Sequence, residues 1–173
     1  MRLLLVLLLA AGLSAQSRNI VLVTADGLRW QDLFTGMDPL LMNEKAAGMK
    51  DAEDLRRRLW KPTPEERRLA LMPFFWGDLA KRGVIYGNVN KGSSVRVTNT
   101  RRVSYPGYSE ILTGRADDEH IRGNDHIQNP NTTVLEFLKQ KMRLDRSQVA
   151  LLGTWEVFQW IAEKTPEIGR AHV

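Results

Sequence analysis

The sequence predicts an α/β fold, a mainly parallel sheet with flanking helices. Three observations carry that expectation. The β-branched run Asn19-Ile20-Val21-Leu22-Val23 is apolar throughout and stops at Thr24-Ala25-Asp26-Gly27, as a strand buried on both faces does. Further short apolar runs alternate with helical patterns along the chain. Helix starts and stops fall between them, above all at Thr63-Pro64-Glu65-Glu66.

The elements follow in order. Met1-Arg2, the apolar run from Leu3 to Ala11 and the small residues Gly12-Leu13-Ser14-Ala15 read as a secretory signal peptide, residues 1–15, with export to the periplasm or outside the cell. A membrane span needs about 20 apolar residues, and this run is shorter. After the first strand, residues 52–60 read as a helix with Arg56, Arg57 and Arg58 in solvent. The next helix starts with Thr63 as N-cap, Pro64 at its first position and Glu66 closing a capping box. It runs to about Arg82, broken or kinked at Pro73, with Gly83 at its C′ position. Leu69, Met72, Phe75 and Leu79 recur at helical spacing as core. Short strands are predicted at Val84-Ile85-Tyr86 and Val95-Arg96-Val97, around a loop at residues 87–94. Residues 134–142 read as an amphipathic helix, 148–152 as a buried strand and 155–162 as a helix.

Composition narrows the function. The 173 residues make room for one ordinary domain. With 25 Lys and Arg against 20 Asp and Glu, the charge of +5 is scattered: it favours an anionic partner without forming the basic stripe of a nucleic-acid binder. The absence of cysteine excludes disulfides, thiolate metal sites and a cysteine nucleophile, and three histidines are too few for a histidine cage.

Two places carry candidate chemistry. Asp26-Gly27 follows the first strand, where ligands of open α/β sheets collect, and a carboxylate there suits a divalent metal; the same dipeptide also reads as a plain turn. The second is the segment from Arg101 to Gly114. Ser104 stands two residues before Pro106, at the start of a short helix that ends at Gly114. A hydroxyl at that helix terminus sits where an anion is favoured, and suits attack on a phosphate or sulfate ester; the same serine also reads as a simple N-cap. Arg101 and Arg102 are close enough in sequence to bind the anionic group. His120 and His126 read as ordinary loop histidines. Asn131-Thr132-Thr133 is a glycosylation sequon.

An Asp closing the first strand, a later Ser-x-Pro and then Ile111-Leu112-Thr113-Gly114 together resemble the alkaline phosphatase superfamily over roughly residues 19–160. The resemblance implies the N-terminal half of that fold. It implies two divalent metal ions (Zn first, with Mn, Mg or Ca as alternatives), of which Asp26 and Ser104 would ligate one, and a Ser104 nucleophile. Asn124, four residues beyond His120, lies near an Asn that contacts the phosphoryl oxygen in the phosphodiesterase branch. The implied activity is phosphatase or phosphodiesterase chemistry on an anionic ester, through a phosphoseryl intermediate. The chain departs from the family in several places. The sulfatase Arg at +4 is Tyr108 here, the sulfatase Lys and His are Thr154 and Glu156, and the phosphodiesterase Phe-Pro-Asn-His is Tyr105-Pro106-Gly107-Tyr108. A sulfatase-like hydrolase remains the alternative, as does a non-catalytic domain of the same fold that binds anions or a partner. The family's later Asp and His ligands have no counterpart by residue 166, so residues 19–166 read as a truncated catalytic domain that would be inactive alone and prone to aggregate. Residues 167–173 read as an adapter-derived tail.

Overall fold

The computed structural model describes residues 19–43, 48 and 50–172. The signal-peptide expectation falls on residues 1–15, outside the described residues. The architecture is mixed α/β. Helices α1 Trp30–Thr35, α2 Pro39–Asn43, α3 Ala52–Leu59 and α4 Pro64–Leu71 come first. A π-helical turn, Phe75–Leu79, runs on into α5 Ala80–Arg82. Then follow α6 Ser104–Thr113, α7 Val134–Met142, β1 Ala150–Gly153, α8 Phe158–Ile161 and β2 Gly169–His172. Among the described residues no helix is long and apolar enough to cross a membrane.

The capping signals place their helices well. Thr63 accepts from the Glu66 N–H while Glu66 accepts from the Thr63 N–H, with Pro64 at the first helical position. The break falls at Met72, and Pro73 starts the next helical segment. Gly83 ends that segment in an extended conformation rather than the left-handed one predicted for it.

The sheet is smaller than the sequence predicts. Among the described residues it has two strands, β1 and β2, paired in parallel with Ala150 opposite Gly169 and Gly153 opposite His172. Residues 19–23, 84–86 and 95–97 form no strand, and they lie largely exposed, Val21 at 81 %. The reason is pairing: an apolar β-branched run becomes a strand only when another strand takes up its backbone groups, and among the described residues none of these runs finds a ladder partner. β1 is displaced to Ala150–Gly153 and is not buried, with Leu152 at 72 % exposure. The segment predicted as a helix over 155–162 is helical only over α8, after a turn.

Leu69, Met72, Phe75 and Leu79 do not form a core; Leu69 and Leu79 are exposed. The packed face is the one carrying Arg67, Arg68 and Trp76. Arg67 is buried with its guanidinium 4.8 Å from the Trp60 ring, Arg68 lies 3.8 Å from the Trp76 ring, and Trp76 Nε1 donates to the Leu33 carbonyl. α1 meets α4 backbone to backbone at Gly36, where φ is 71° and a Cβ would lie 2.3 Å from the Arg67 carbonyl carbon. Only glycine fits there.

The main core gathers Tyr105, Tyr108 and Leu112 of α6 with Ile121, Val157 and Ile161. A second cluster, Val149, Ala162 and Ile168, lies under β1 and β2. Ile168 is fully buried, and the carboxylate of the fully buried Glu163 accepts from the Ile168 N–H and from the Arg170 guanidinium. Residues 169–172 of the segment read as an adapter-derived tail form β2.

Thr133 joins these clusters. It caps α7 in a box with Glu136, and its hydroxyl donates to the Ala162 carbonyl at 2.6 Å, fully buried. Thr133→Ala removes the cap and strands that carbonyl, so it should cost about 2 kcal/mol of unfolding free energy. Urea denaturation measures this, and a loss below about 0.5 kcal/mol would show that the hydroxyl is dispensable.

Candidate functional site

Helix α6 positions the site. Its apolar face, Tyr105, Tyr108 and Leu112, is drawn into the core, so the opposite side of its first turn faces outward. Val103 is the N-cap, with φ −123° and ψ 172°, and Ser104 is the first helical residue. Ser104 thus stands inside the helix rather than at its cap. Its Oγ instead donates to Asp26 Oδ2 at 3.0 Å, across 78 positions of sequence. The two sequence-predicted residues therefore meet, although the run before Asp26 is not a strand. Gly27, at φ 73°, makes the turn after Asp26.

These residues border an open cleft of about 550 Å³, whose walls are residues 24–27, Val97, Asn99, residues 102–104, Gly107, Tyr108 and Ile111. A second cavity of about 240 Å³, beside Gly153, Trp155 and Phe158, contains none of the sequence-predicted site residues.

Asn124 lies at the same helix terminus. Its Oδ1 accepts from the Tyr105 N–H at 2.8 Å, one of the amides that a helix start leaves without an intrahelical acceptor. The Asn124 Nδ2 and the Ser104 N–H have no hydrogen-bond partner among the described residues, and both remain as donors. The two arginines part company. Arg102 lines the cleft, whereas Arg101 donates to the Asp118 carbonyl at 3.2 Å, outside the cleft wall. Neither histidine joins the cleft: His120 Nδ1 pairs with Asp117 Oδ1 at 2.8 Å, and His126 stacks on Trp160 with ring centres 4.4 Å apart. The sequon asparagine, Asn131, is buried between Arg115 and Asp117, so its amide is already engaged.

Three contributors escape a reading of the sequence. Tyr108 forms the inner wall; burial first, then the nearby Asp26 carboxylate, hold its phenol above the ordinary range, against a hydrogen bond with Thr24. Asn99 and Glu110 bind the loop before Ser104 to helix α6. Glu110 Oε1 accepts from the Thr98 N–H and hydroxyl at 2.6 and 2.8 Å, and its Oε2 accepts from the Asn99 N–H and Nδ2 at 3.0 and 2.8 Å. No periodicity marks these contacts, because they join a loop to a helix 11 and 12 residues later.

For a metal, the donors suit one edge of a coordination shell. Asp26 and Ser104 offer two hard oxygens 3.0 Å apart, and neighbouring oxygens of an octahedral magnesium shell lie about 2.9 Å apart. Among the described residues no group of three or more His, Cys, Asp or Glu could hold a metal ion, so these two oxygens do not complete a shell.

Compared with family models, with curated proteins and with solved structures, the chain matches none.

The Glu110 clasp has a pH signature. Burial would raise the carboxyl, but the Asn99 side chain, the Thr98 and Asn99 N–H groups and the Thr98 hydroxyl outweigh it and lower it from 4.5 to about 2. A folded value below the unfolded one means that the contribution is complete above about pH 4.5 and is lost as the pH falls towards 2. The difference in unfolding free energy between wild type and Glu110→Gln should therefore shrink over that window in urea titrations. A difference that stays constant from pH 6 to pH 2 would contradict it.

Proposed function

We propose that this chain is the N-terminal part of an exported, metal-dependent hydrolase of phosphate esters, alkaline phosphatase-like, in which Ser104 is the nucleophile. The observation that carries the reading is the 3.0 Å hydrogen bond from Ser104 Oγ to Asp26 Oδ2. A simple N-cap serine would bond the backbone of its own helix, and a simple turn aspartate would bond its own turn. Here each side chain reaches across the chain to the other, at the open rim of a cleft.

The residues divide the work. Asp26 holds the Ser104 hydroxyl hydrogen and turns the free lone pairs of Oγ toward the cleft. The first turn of α6 contributes the partial positive charge of its dipole, and the Ser104 N–H and Asn124 Nδ2 are donors for oxygens of a phosphoryl group. Arg102 adds a full positive charge at the cleft wall. Asp26 and Ser104 would hold one divalent ion, which when bound lowers the hydroxyl's proton affinity and offsets phosphoryl charge. Attack by Oγ forms the Oγ–P bond and breaks the P–O bond to the alcohol, which leaves with the proton. Water then cleaves the phosphoseryl ester, giving phosphate and the free serine. An unmodified serine with Tyr108 where sulfatases carry arginine favours phosphate over sulfate.

In the full-length protein, Ser104→Ala should lower turnover of an aryl phosphate by about three orders of magnitude or more. Near wild-type turnover would remove the nucleophile assignment. Divalent metal should raise the melting temperature of the wild-type protein more than that of Asp26→Asn, since only a ligand of the folded state stabilises it. An equal rise in both would remove Asp26 from the metal site.

A further inference from the structure

The backbone just before Ser104 is strained. Among the described residues, three non-glycine residues have positive φ: Asp51, Arg102 and Arg143. Asp51 and Arg143 cap helix ends. Arg102, at φ 53°, lines the cleft two residues before the proposed nucleophile. An arginine takes this conformation only where surrounding contacts impose it.

Those contacts form one chain. The Arg102 N–H donates to Asn99 Oδ1 at 2.8 Å. Asn99 is buried, and both its backbone and side-chain nitrogens donate to Glu110 Oε2. The other Glu110 oxygen takes both donors of Thr98. All four hydrogen bonds that Glu110 accepts from residues 98 and 99 thus go to the loop that carries Arg102, and Glu110 itself stands on the helix that Ser104 begins.

We propose that Glu110 and Asn99 are positioning residues for the reaction at Ser104: the clasp imposes the left-handed backbone of Arg102 and so keeps Arg102 at the cleft wall beside the nucleophile. The inference rests on the reading of Ser104 given above. Glu110 touches no substrate; it acts through Asn99 on Arg102.

A double-mutant cycle tests it in the full-length protein, with kcat and KM for an aryl phosphate measured for wild type, E110Q, R102G and E110Q/R102G, and with S104A as reference. Glycine takes positive φ freely, so R102G removes both the guanidinium and the strain that the clasp offsets. E110Q alone should lower kcat/KM about tenfold to a hundredfold, mainly through KM, and should add less than about twofold on the R102G background. The same loss from E110Q on both backgrounds would overturn the proposal, since a merely structural clasp acts regardless of residue 102. Should E110Q fail to fold, E110D carries the same cycle. If S104A keeps wild-type turnover, the reading of Ser104 falls by itself, and the cycle is scored on binding of inorganic phosphate by calorimetry. Weaker binding in E110Q with no further loss in the double variant supports the clasp, and equal losses on both backgrounds overturn it.

Discussion

Tyr105 fixes where helix α6 begins, because it is buried completely and held from both ends. Its hydroxyl donates to the Ile127 carbonyl at 2.8 Å, and burial pushes the phenol up to about 12. Its N–H is taken by Asn124. A residue sealed in this way cannot slide along the helix axis without stranding a buried hydroxyl. Ser104 precedes it by one position and is therefore held at the rim of the cleft. Further along, Asn129 repeats the device, its Nδ2 donating to Ser109 Oγ and to the Ile161 carbonyl. The catalytic reading depends on this seating more than on the sheet, since the two-stranded sheet lies elsewhere.

The order of the site was legible in the sequence where local chemistry fixes local structure. Thr63, Pro64 and Glu66 announce a helix start, Gly114 ends α6 at φ 75°, and Thr133 begins α7, because each feature is settled within four residues. Asp26 and Ser104 are read from the element ends that the sequence predicts, and their side chains meet although no strand precedes Asp26. What stayed hidden is non-local. Residues 20–23, 84–86 and 95–97 have strand composition but no ladder, for β-propensity records fitness for a sheet and not the presence of a neighbour. The helical stripe at Leu69 and Leu79 names the wrong face, since the guanidinium groups of Arg67 and Arg68 on tryptophan rings cover the interface that apolar periodicity assigns to leucine. The Glu110 clasp had no motif at all.

Charge at the cleft follows the same logic. The scattered +5 of the whole chain matters less than a few groups aimed at one point. The dipole of α6, two amide donors without a partner among the described residues and Arg102 favour an anion; the Asp26 carboxylate disfavours it unless a cation stands between them. That opposition gives the proposed metal a physical purpose: it reconciles a carboxylate and an anionic ester on a single serine. The two oxygens present at 3.0 Å fit one edge of such a shell and leave the rest to other donors.

The central claim is that Ser104 becomes covalently phosphorylated during turnover. Acid quenching of the full-length protein with an aryl phosphate, followed by trypsin digestion and mass spectrometry, tests it directly, because cleavage after Arg102 and Arg115 isolates the peptide from Val103 to Arg115. The account predicts a phosphoryl group on Ser104 in that peptide. Release of the phenol with no phosphoryl group on that peptide at any quench time would contradict it.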